Sequence, residues 1–355
     1  MTDFSELSDA FRIQAKFCRS SHSPFAALVL EVLADRLTST SPFALHLAPW
    51  TDAKRGKLFA DAVPLRLIGA FHYLVLSGQE PALAALYPPI CTEPDPTALG
   101  DALERATVVN SDLIAGYMAS PPQTNEVARS LALAPGFLTV AQQTGLPLRC
   151  LELGASAGLN MNWDRFHYRF AEGSTWGDPS SGVDLFSDWT GPSPSIPPEV
   201  RVAERLACDQ NPIDVRDEAA ARRLQSYVWP DQTLRLERLR AAIALKRQTG
   251  GIPESGDAGV WAEANVHPSK GVATVVYHSS FIYYPTRDTQ TRIREAILAA
   301  GAAATPDAPL AWLSKEPSPD NMAGPDEIRL RLWPGGEERL LGRAHPHCAW
   351  VEWLS

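Results

Sequence analysis

The chain has 355 residues, of which 45% are hydrophobic and 21% charged, and its formal net charge is −9. This length exceeds the usual size of one hydrophobic core, so we expect a large domain and a smaller one. The composition is typical of a folded globular protein and excludes wholesale disorder. The negative charge, with no run rich in Lys and Arg, disfavours nucleic-acid binding because phosphates would be repelled.

The cysteines and the N-terminal segment favour a reducing compartment. The five cysteines are scattered and none forms a CxxC pair, so neither a disulfide framework nor a zinc knuckle is predicted. Residues 1–17 lack the basic and apolar regions of a signal peptide. The most apolar window, residues 62–76, is shorter than the ~20 residues of a membrane span. We therefore expect a cytoplasmic protein with no membrane partner.

The first part of the chain has helical periodicity and no alternating run of useful length before Pro147. We predict an all-helical domain over residues 1–146 that covers the site of the following domain. The segments with helical periodicity start at Phe4 and then include residues 25–37, 64–76, 97–118 and 124–143.

From Pro147 onwards, strand and helix patterns alternate. The alternation predicts an α/β domain over residues 147–355, a doubly wound and mostly parallel sheet that closes with antiparallel C-terminal strands. An insertion over about 171–200, rich in Gly, Pro, Ser and Trp, is expected to be irregular. The predicted strands are residues 148–153, 202–208, 273–279, 309–313, 327–332 and 348–354, and the predicted helices are residues 217–246 and 289–300.

A glycine-rich turn follows the first predicted strand, in the segment LELGASAGLN of residues 151–160. Gly154 and Gly158 lack Cβ atoms, so the backbone can approach a ligand closely, and the small residues 155–157 keep the turn slim. We expect the turn to pass directly into a helix whose first N–H groups are free for a ligand.

The pattern Glu-x-Gly-x-x-x-Gly after an apolar strand resembles motif I of the class I S-adenosylmethionine-dependent methyltransferases. This resemblance implies a methyltransferase-like fold, S-adenosylmethionine as cofactor, and transfer of a methyl group to a small molecule. It also implies cofactor contacts from Glu152, Gly154, Ser156, Gly158 and Asn160. The whole chain further resembles an uncharacterised bacterial protein family, and that resemblance implies no activity.

Acidic residues follow two further strand candidates. Asp209 resembles the motif II acid that accepts hydrogen bonds from the ribose of the cofactor. It lies far beyond the ~20 residues expected from the glycine-rich turn, so this assignment requires residues 171–200 to be an insertion. Glu172 has the better spacing and stays open as an alternative. Asp257 resembles the acid that meets the adenine amino group after the third strand.

The loop after strand 273–279 corresponds in order to motif IV, on the side of the methyl acceptor. Ser279 is expected at the cofactor, whereas His278, Tyr283 and Tyr284 are the candidate catalytic residues that orient a small acceptor. If the acceptor must lose a proton, His278 is the first choice of base because its ordinary pKa lies near neutrality. Asn125, before the first strand, is expected to close over the cofactor.

The same turn also satisfies G-x-S-x-G, the nucleophile elbow of α/β-hydrolases. Ser156 would then attack a carbonyl group, with His278, His345 or His347 as its partner. Against this alternative, an elbow lies in the middle of its fold, and no strand is predicted before Leu148.

Other interpretations of the turn also remain. A nicotinamide site would require a glycine at position 156, and the turn could serve packing alone. A non-catalytic nucleotide-binding protein of the same fold stays open. No metal is expected, because the His345-Pro-His347-Cys348 segment has no distant partner pair. The sequence leaves the methyl acceptor and the oligomeric state open.

Overall fold

The computed structural model describes residues 4–355, with the side chains of residues 172 and 323 left out. The protein is of the α/β class, with a large, mixed, mostly parallel sheet and many helices. It divides into two compact units, the first comprising Met1–Thr124 and Asp217–Glu237 and the second Asn125–Arg216 and Arg238–Ser355.

These units differ from the predicted boundary after residue 146. The change of pattern at Pro147 marks the first strand, but the preceding helix already packs on the sheet: the ring of Phe137 lies 4.9 Å from that of Tyr277. Conversely, the later segment Asp217–Glu237 belongs to the helical unit. Within it, Asp231 accepts hydrogen bonds from Ser23 Oγ and Phe25 N.

The helices follow the predicted positions in the first part of the chain. Single helices were predicted over residues 97–118 and 217–246, but each of these segments contains two helices, and Pro230 lies in the second break. The α-helices are α1 (Ser5–Ser20), α2 (Pro24–Arg36), α3 (Pro42–Leu47), α4 (Arg55–Ala60), α5 (Val63–Leu76), α6 (Pro81–Ala84), α7 (Pro96–Val109), α8 (Ser111–Met118), α9 (Arg129–Thr144), α10 (Glu218–Ser226), α11 (Thr233–Thr249), α12 (Ala258–Asn265) and α13 (Arg287–Ala302).

The first unit is a helical assembly around an aromatic and aliphatic core that includes Phe25, Phe43 and Phe71. Within it, Arg55–Leu76 is long and apolar enough to cross a membrane by length and composition alone. Most of this stretch is buried inside the protein, which is the behaviour of a core helix in a soluble globular protein.

The second unit contains a sheet of nine strands among the described residues, in the order β5-β12-β11-β10-β9-β8-β1-β6-β7. The five strands from β7 to β9 are parallel, and β9 to β12 are successive antiparallel neighbours. The predicted C-terminal strands are present, together with β11, which was not predicted. The strands are β1 (Leu148–Leu153), β2 (His167–Arg169), β3 (Thr175–Gly177), β4 (Asp184–Leu185), β5 (Asp188–Thr190), β6 (Val202–Asp209), β7 (Glu254–Ser255), β8 (Ala273–Ser279), β9 (Leu310–Ser318), β10 (Asn321–Trp333), β11 (Glu338–Ala344) and β12 (Trp350–Trp353).

Helices cover both faces of this sheet. Successive residues of a strand point to opposite faces. On β9, Leu313 faces α9, where its side chain adjoins Gly136, whereas Trp312 packs against a cluster that contains Trp261 of α12 and Ile293 of α13. The sheet is therefore doubly wound, as predicted.

The strand order reverses at β1. The chain runs from β1 outward to β6 and β7, and then returns to the other side of β1 to form β8 and β9. Such a topological switch point is where ligands bind in open α/β sheets, outside the carboxyl ends of the strands. We call the space outside the carboxyl ends of β1 and β8 the switch-point crevice.

The link from β1 to β6 departs from the expected helix. A 3₁₀ helix, Asn160–Arg165, follows the glycine-rich turn instead of an α-helix. The predicted insertion then contributes β3, β4 and β5. Of these, β3 and β4 flank β2 in a second, three-stranded sheet.

Candidate functional site

The glycine-rich turn, residues 154–158, bends sharply at the end of β1. Gly154 and Gly158 both have φ of 67°, and Ser156 has φ of 55°. This left-handed region is open to glycine but is uncommon for a residue with a side chain. Ser156 therefore holds a conformation that the surrounding contacts must maintain.

Asp209, at the end of the neighbouring strand β6, is one of those contacts. Its Oδ2 accepts a hydrogen bond from Ser156 N at 2.8 Å, and its Oδ1 accepts one from Asn211 N at 2.8 Å. The structure thus brings the predicted ribose-binding acid directly against the turn. The side chain of Glu172, the alternative acid, lies outside the described residues.

Other amides of the turn are also bonded within the protein. Ala155 N donates to Cys208 O at 3.0 Å and Gly158 N to Ala155 O at 2.7 Å. Leu159 N donates to Asn125 Oδ1 at 2.9 Å. The expectation of a helix start with free N–H groups is therefore corrected. Asn125 does reach this turn, but it holds the backbone there.

Asn160 is buried behind the turn. Its Oδ1 accepts a hydrogen bond from Ser130 Oγ at 2.8 Å, and its Nδ2 donates to Glu126 O at 3.3 Å. The Asn160 side-chain amide therefore links the start of α9 to the 3₁₀ helix. Its oxygen and its nitrogen are both hydrogen-bonded to other residues of the protein.

Glu152 lies beneath the turn and is 4% exposed. Its Oε2 accepts a hydrogen bond from the Tyr277 hydroxyl at 3.1 Å. Burial raises the pKa of Glu152 to about 8, and this effect is partly opposed by Tyr277 and by the ammonium group of Lys246. Burial in turn lowers the pKa of Lys246. Glu152 therefore lies in a buried polar cluster with Tyr277 and Lys246.

In the described part of the chain, Ser156 Oγ makes no hydrogen bond to a histidine, so the contacts of a hydrolase triad are not seen there. The buried Ser156 Oγ has no hydrogen-bond partner in the described part of the chain. His278 Nδ1 lies 2.6 Å from Glu316 Oε1, and Trp312 Nε1 donates to His278 Nε2 at 3.0 Å. Because an indole nitrogen only donates, His278 Nε2 is the unprotonated nitrogen and Nδ1 carries the proton.

Glu316 was not predicted, and it fixes the loop after β8. Both carboxylate oxygens accept from Phe281 N, at 3.0 and 3.1 Å. The predicted strand over residues 309–313 was too short, because β9 continues to Ser318. The longer strand places Glu316 beside the end of β8, a position that no motif spacing indicated.

Phe281, also not predicted, covers the turn at the switch-point crevice. A Cβ atom added to Gly154 would lie 2.1 Å from Phe281 Cδ2. The Phe281 ring packs against the apolar cluster that includes Trp261 and Ile293. Gly154 therefore accommodates an aromatic ring of the protein at the place where the sequence predicts a cofactor.

Asp257 follows β7, as predicted for the acid after the third strand, and β7 pairs with the end of β6. Its Oδ1 accepts from Gly259 N at 2.9 Å and Val260 N at 3.0 Å, and its Oδ2 accepts from Thr289 Oγ1 at 2.8 Å. Asp257 is thus the N-cap of α12.

The remaining predicted residues lie at and after the end of β8. Ser279 is the last residue of the strand, and its carbonyl oxygen is 3.4 Å from Arg129 Nη1. Tyr283 and Tyr284 are exposed, with ring centroids 4.5 Å apart. The structure therefore brings the turn, Asp209 and the end of β8 together and leaves the two tyrosines in a surface loop. Among the residues described, no three His, Cys, Asp or Glu side chains form a group that could hold a metal ion.

One protein-family model matches residues 8–353, nearly the whole chain. Its description is "Uncharacterized protein conserved in bacteria (DUF2332)". The chain belongs to the DUF2332 family. No curated protein and no solved structure matches it. The DUF2332 match spans both compact units, so the helical unit and the unit with the large sheet are both part of the family's shared sequence.

Proposed function

We propose that the second unit binds S-adenosylmethionine at the switch-point crevice and transfers its methyl group to a small-molecule acceptor. The observation that carries the proposal is the glycine-rich turn at the end of the central strand, with Asp209 fixed 2.8 Å from Ser156 N. The order β7-β6-β1-β8-β9 is equivalent to the 3-2-1-4-5 order of doubly wound nucleotide-binding sheets.

The residues at the turn are suited to a nucleoside cofactor. The Asp209 carboxylate accepts hydrogen bonds from the Ser156 and Asn211 amides, and its oxygens are of the acceptor type that ribose hydroxyls need. Gly154 and Gly158 allow close approach of the backbone. The buried Ser156 Oγ, which has no partner among the described residues, supplies a further polar contact.

Phe281 must move for this binding to occur. Its ring occupies the space against Gly154, and it follows Ser280, whose φ is 48°. The loop from Phe281 to Thr286 contains no helix or strand. We propose that displacement of the Phe281 ring opens the crevice to the cofactor.

S-adenosylmethionine would supply an electrophilic methyl group on a sulfonium. The chain's own residues then hold and align the reactants, and alignment provides much of the acceleration in a displacement. Tyr283 and Tyr284, exposed in the loop after β8, would orient the acceptor. His278 is proposed as a positioning residue, because both ring nitrogens are engaged by Glu316 and Trp312.

Thermal unfolding with S-adenosylmethionine and S-adenosylhomocysteine tests this proposal. A ligand at 100 times its Kd should stabilise the protein by ~2.7 kcal/mol. Asp209→Asn removes the charge at the turn, and Asp214→Asn is the matched control, since Asp214 pairs with Arg216 in the following loop. We expect stabilisation of wild type and Asp214→Asn, and little or none for Asp209→Asn.

Two results would contradict the proposal. The first is no stabilisation at millimolar cofactor after removal of any co-purified ligand. The second is equal stabilisation of Asp209→Asn and wild type. Esterase activity that Ser156→Ala abolishes would support the hydrolase alternative, and cofactor binding without turnover on any acceptor would indicate a nucleotide-binding protein without catalysis.

A further inference from the structure

A cavity of about 560 Å³ lies within the helical unit. This volume is in the range of small-molecule sites. Its lining comes from α3, α5, α8 and the 3₁₀ helix Ala48–Trp50, and it includes Leu45, His46, Trp50, Arg66, Ala115 and Met118. The cavity belongs to a different unit from the glycine-rich turn.

Arg66 is the unusual residue of this cavity, because it is 7% exposed and makes no ion pair with any described carboxylate. Its Nε donates to Asp61 O at 2.6 Å and its Nη1 to Met118 O at 2.7 Å. Both acceptors are neutral backbone carbonyls, and Nη2 has no hydrogen-bond partner in the residues described. Burial lowers the pKa of Arg66, and the negative charge of Asp61 partly opposes this effect. Because burying a charge is costly, a ligand that brings a further negative group to Nη2 would be favoured.

The nearby carboxylate of Asp61 makes its side-chain hydrogen bonds to residues other than Arg66. Its Oδ2 accepts hydrogen bonds from Trp50 Nε1 at 2.6 Å and from Lys57 Nζ at 2.9 Å. These two hydrogen bonds lower the pKa of Asp61, so it stays ionised and holds the Trp50 indole in the cavity wall. The Arg66 guanidinium lies 5.4 Å from the Trp50 ring centroid.

The charge of the cavity favours one negative group on the ligand. Burial lowers the pKa of His46, whose Nε2 lies 3.4 Å from Ser111 Oγ. His46 is therefore neutral near pH 7, which leaves Arg66 as the one cation among the described lining residues. A dianionic phosphate would keep an uncompensated charge against apolar walls, whereas a carboxylate is matched by one guanidinium.

We propose that this cavity binds an amphipathic monocarboxylate of the medium-chain fatty acid class. The carboxylate accepts hydrogen bonds from Arg66 Nη2, and the alkyl chain lies against Leu45, Trp50 and Met118. The site is independent of the proposed methyl transfer, since its residues belong to the helical unit alone.

Calorimetric titration with octanoate and with octan-1-ol tests the site. The two probes share an alkyl chain, so the difference between them isolates the carboxylate. Ala115→Phe fills the cavity without touching the Arg66 hydrogen bonds. Gly116→Phe is the matched control: Gly116 is the next residue of α8, and nothing lies within 4 Å of an added Cβ.

We expect octanoate to bind wild type and Gly116→Phe at least about tenfold more tightly than octan-1-ol, as for a hydrogen bond to a charged group. Ala115→Phe should abolish octanoate binding, and Arg66→Gln should remove the preference for octanoate over octan-1-ol. Equal affinity for the two probes, no octanoate binding to wild type, or unchanged binding by Ala115→Phe would overturn the proposal. The Ala115→Phe result decides the question even if Arg66→Gln fails to fold.

Discussion

Replacement of Glu152 by Gln should stabilise the protein increasingly as the pH rises. Glu152 is 4% exposed, and burial raises its pKa from the ordinary 4.5 to about 8. The folded state therefore binds this proton more tightly than the unfolded state. The contribution of protonated Glu152 to the free energy of unfolding is fully present below pH 4.5 and is lost as the pH rises through about 8.

The magnitude follows from the two pKa values. A difference between 4.5 and about 8 corresponds to ~5 kcal/mol of unfolding free energy, as an upper bound. Glutamine has no proton to lose, and its side-chain oxygen can still accept the hydrogen bond that the Tyr277 hydroxyl gives Glu152. The unfolding free energy of Glu152→Gln minus that of wild type should therefore rise between pH 4.5 and 8.

Urea unfolding at several pH values between 5 and 8.5 measures this difference, because subtraction of the wild-type curve cancels the other titrating groups. Glu337→Gln, at an exposed position, is the control for the loss of one carboxyl group, and its difference from wild type should stay flat. A flat difference for Glu152→Gln, or one that falls as the pH rises, would refute the reasoning.

Two further substitutions test the packing of the second unit. Lys315 is fully buried and paired with Asp326, so Lys315→Met should cost ~3–5 kcal/mol by leaving an unpaired buried charge, whereas Lys315→Met with Asp326→Leu should recover most of this in urea unfolding. If the single variant unfolded like wild type, the ion pair would not be buried as described. Gly136→Ala places a Cβ 2.4 Å from Leu313 Cδ1 and should cost ~1–3 kcal/mol. In contrast, Gly116→Ala, at an open helical position, should stabilise by up to ~1 kcal/mol in thermal unfolding; equal effects at both positions would contradict the packing argument.

The central strands could be predicted because burial on both faces leaves a simple pattern. β1 is buried at all six positions and β8 at six of seven, so β8 reads as a β-branched, mostly apolar run and β1 as an apolar run interrupted only by Arg149 and Glu152. β11 was missed because its outer positions, such as Glu338 and Arg343, are charged or part-exposed and Gly342 interrupts the pattern. Its place in the sheet depends on pairing with β10 and β12, which no local pattern records.

The candidate site was only partly predictable, because some of its contacts join segments that are far apart in the sequence. The small residues of the turn are adjacent in sequence, and Asp209 could be placed because it ends a strand. Glu316 and Phe281 act through contacts between distant segments, for example Glu316 with Phe281 N across 35 positions. The free helix N–H groups expected after the turn depended on an α-helix, and a 3₁₀ helix with internally bonded amides takes its place.

Hydrogen exchange with and without S-adenosylhomocysteine is the most direct test of the central claim that a nucleoside cofactor binds at the glycine-rich turn. Mass spectrometry of proteolytic peptides would follow amide exchange along the chain. The proposal predicts slower exchange in peptides that cover residues 154–160 when ligand is bound, together with a change around Phe281 as its ring is displaced. Unchanged exchange in both segments at millimolar ligand, or protection confined to another part of the chain, would contradict it.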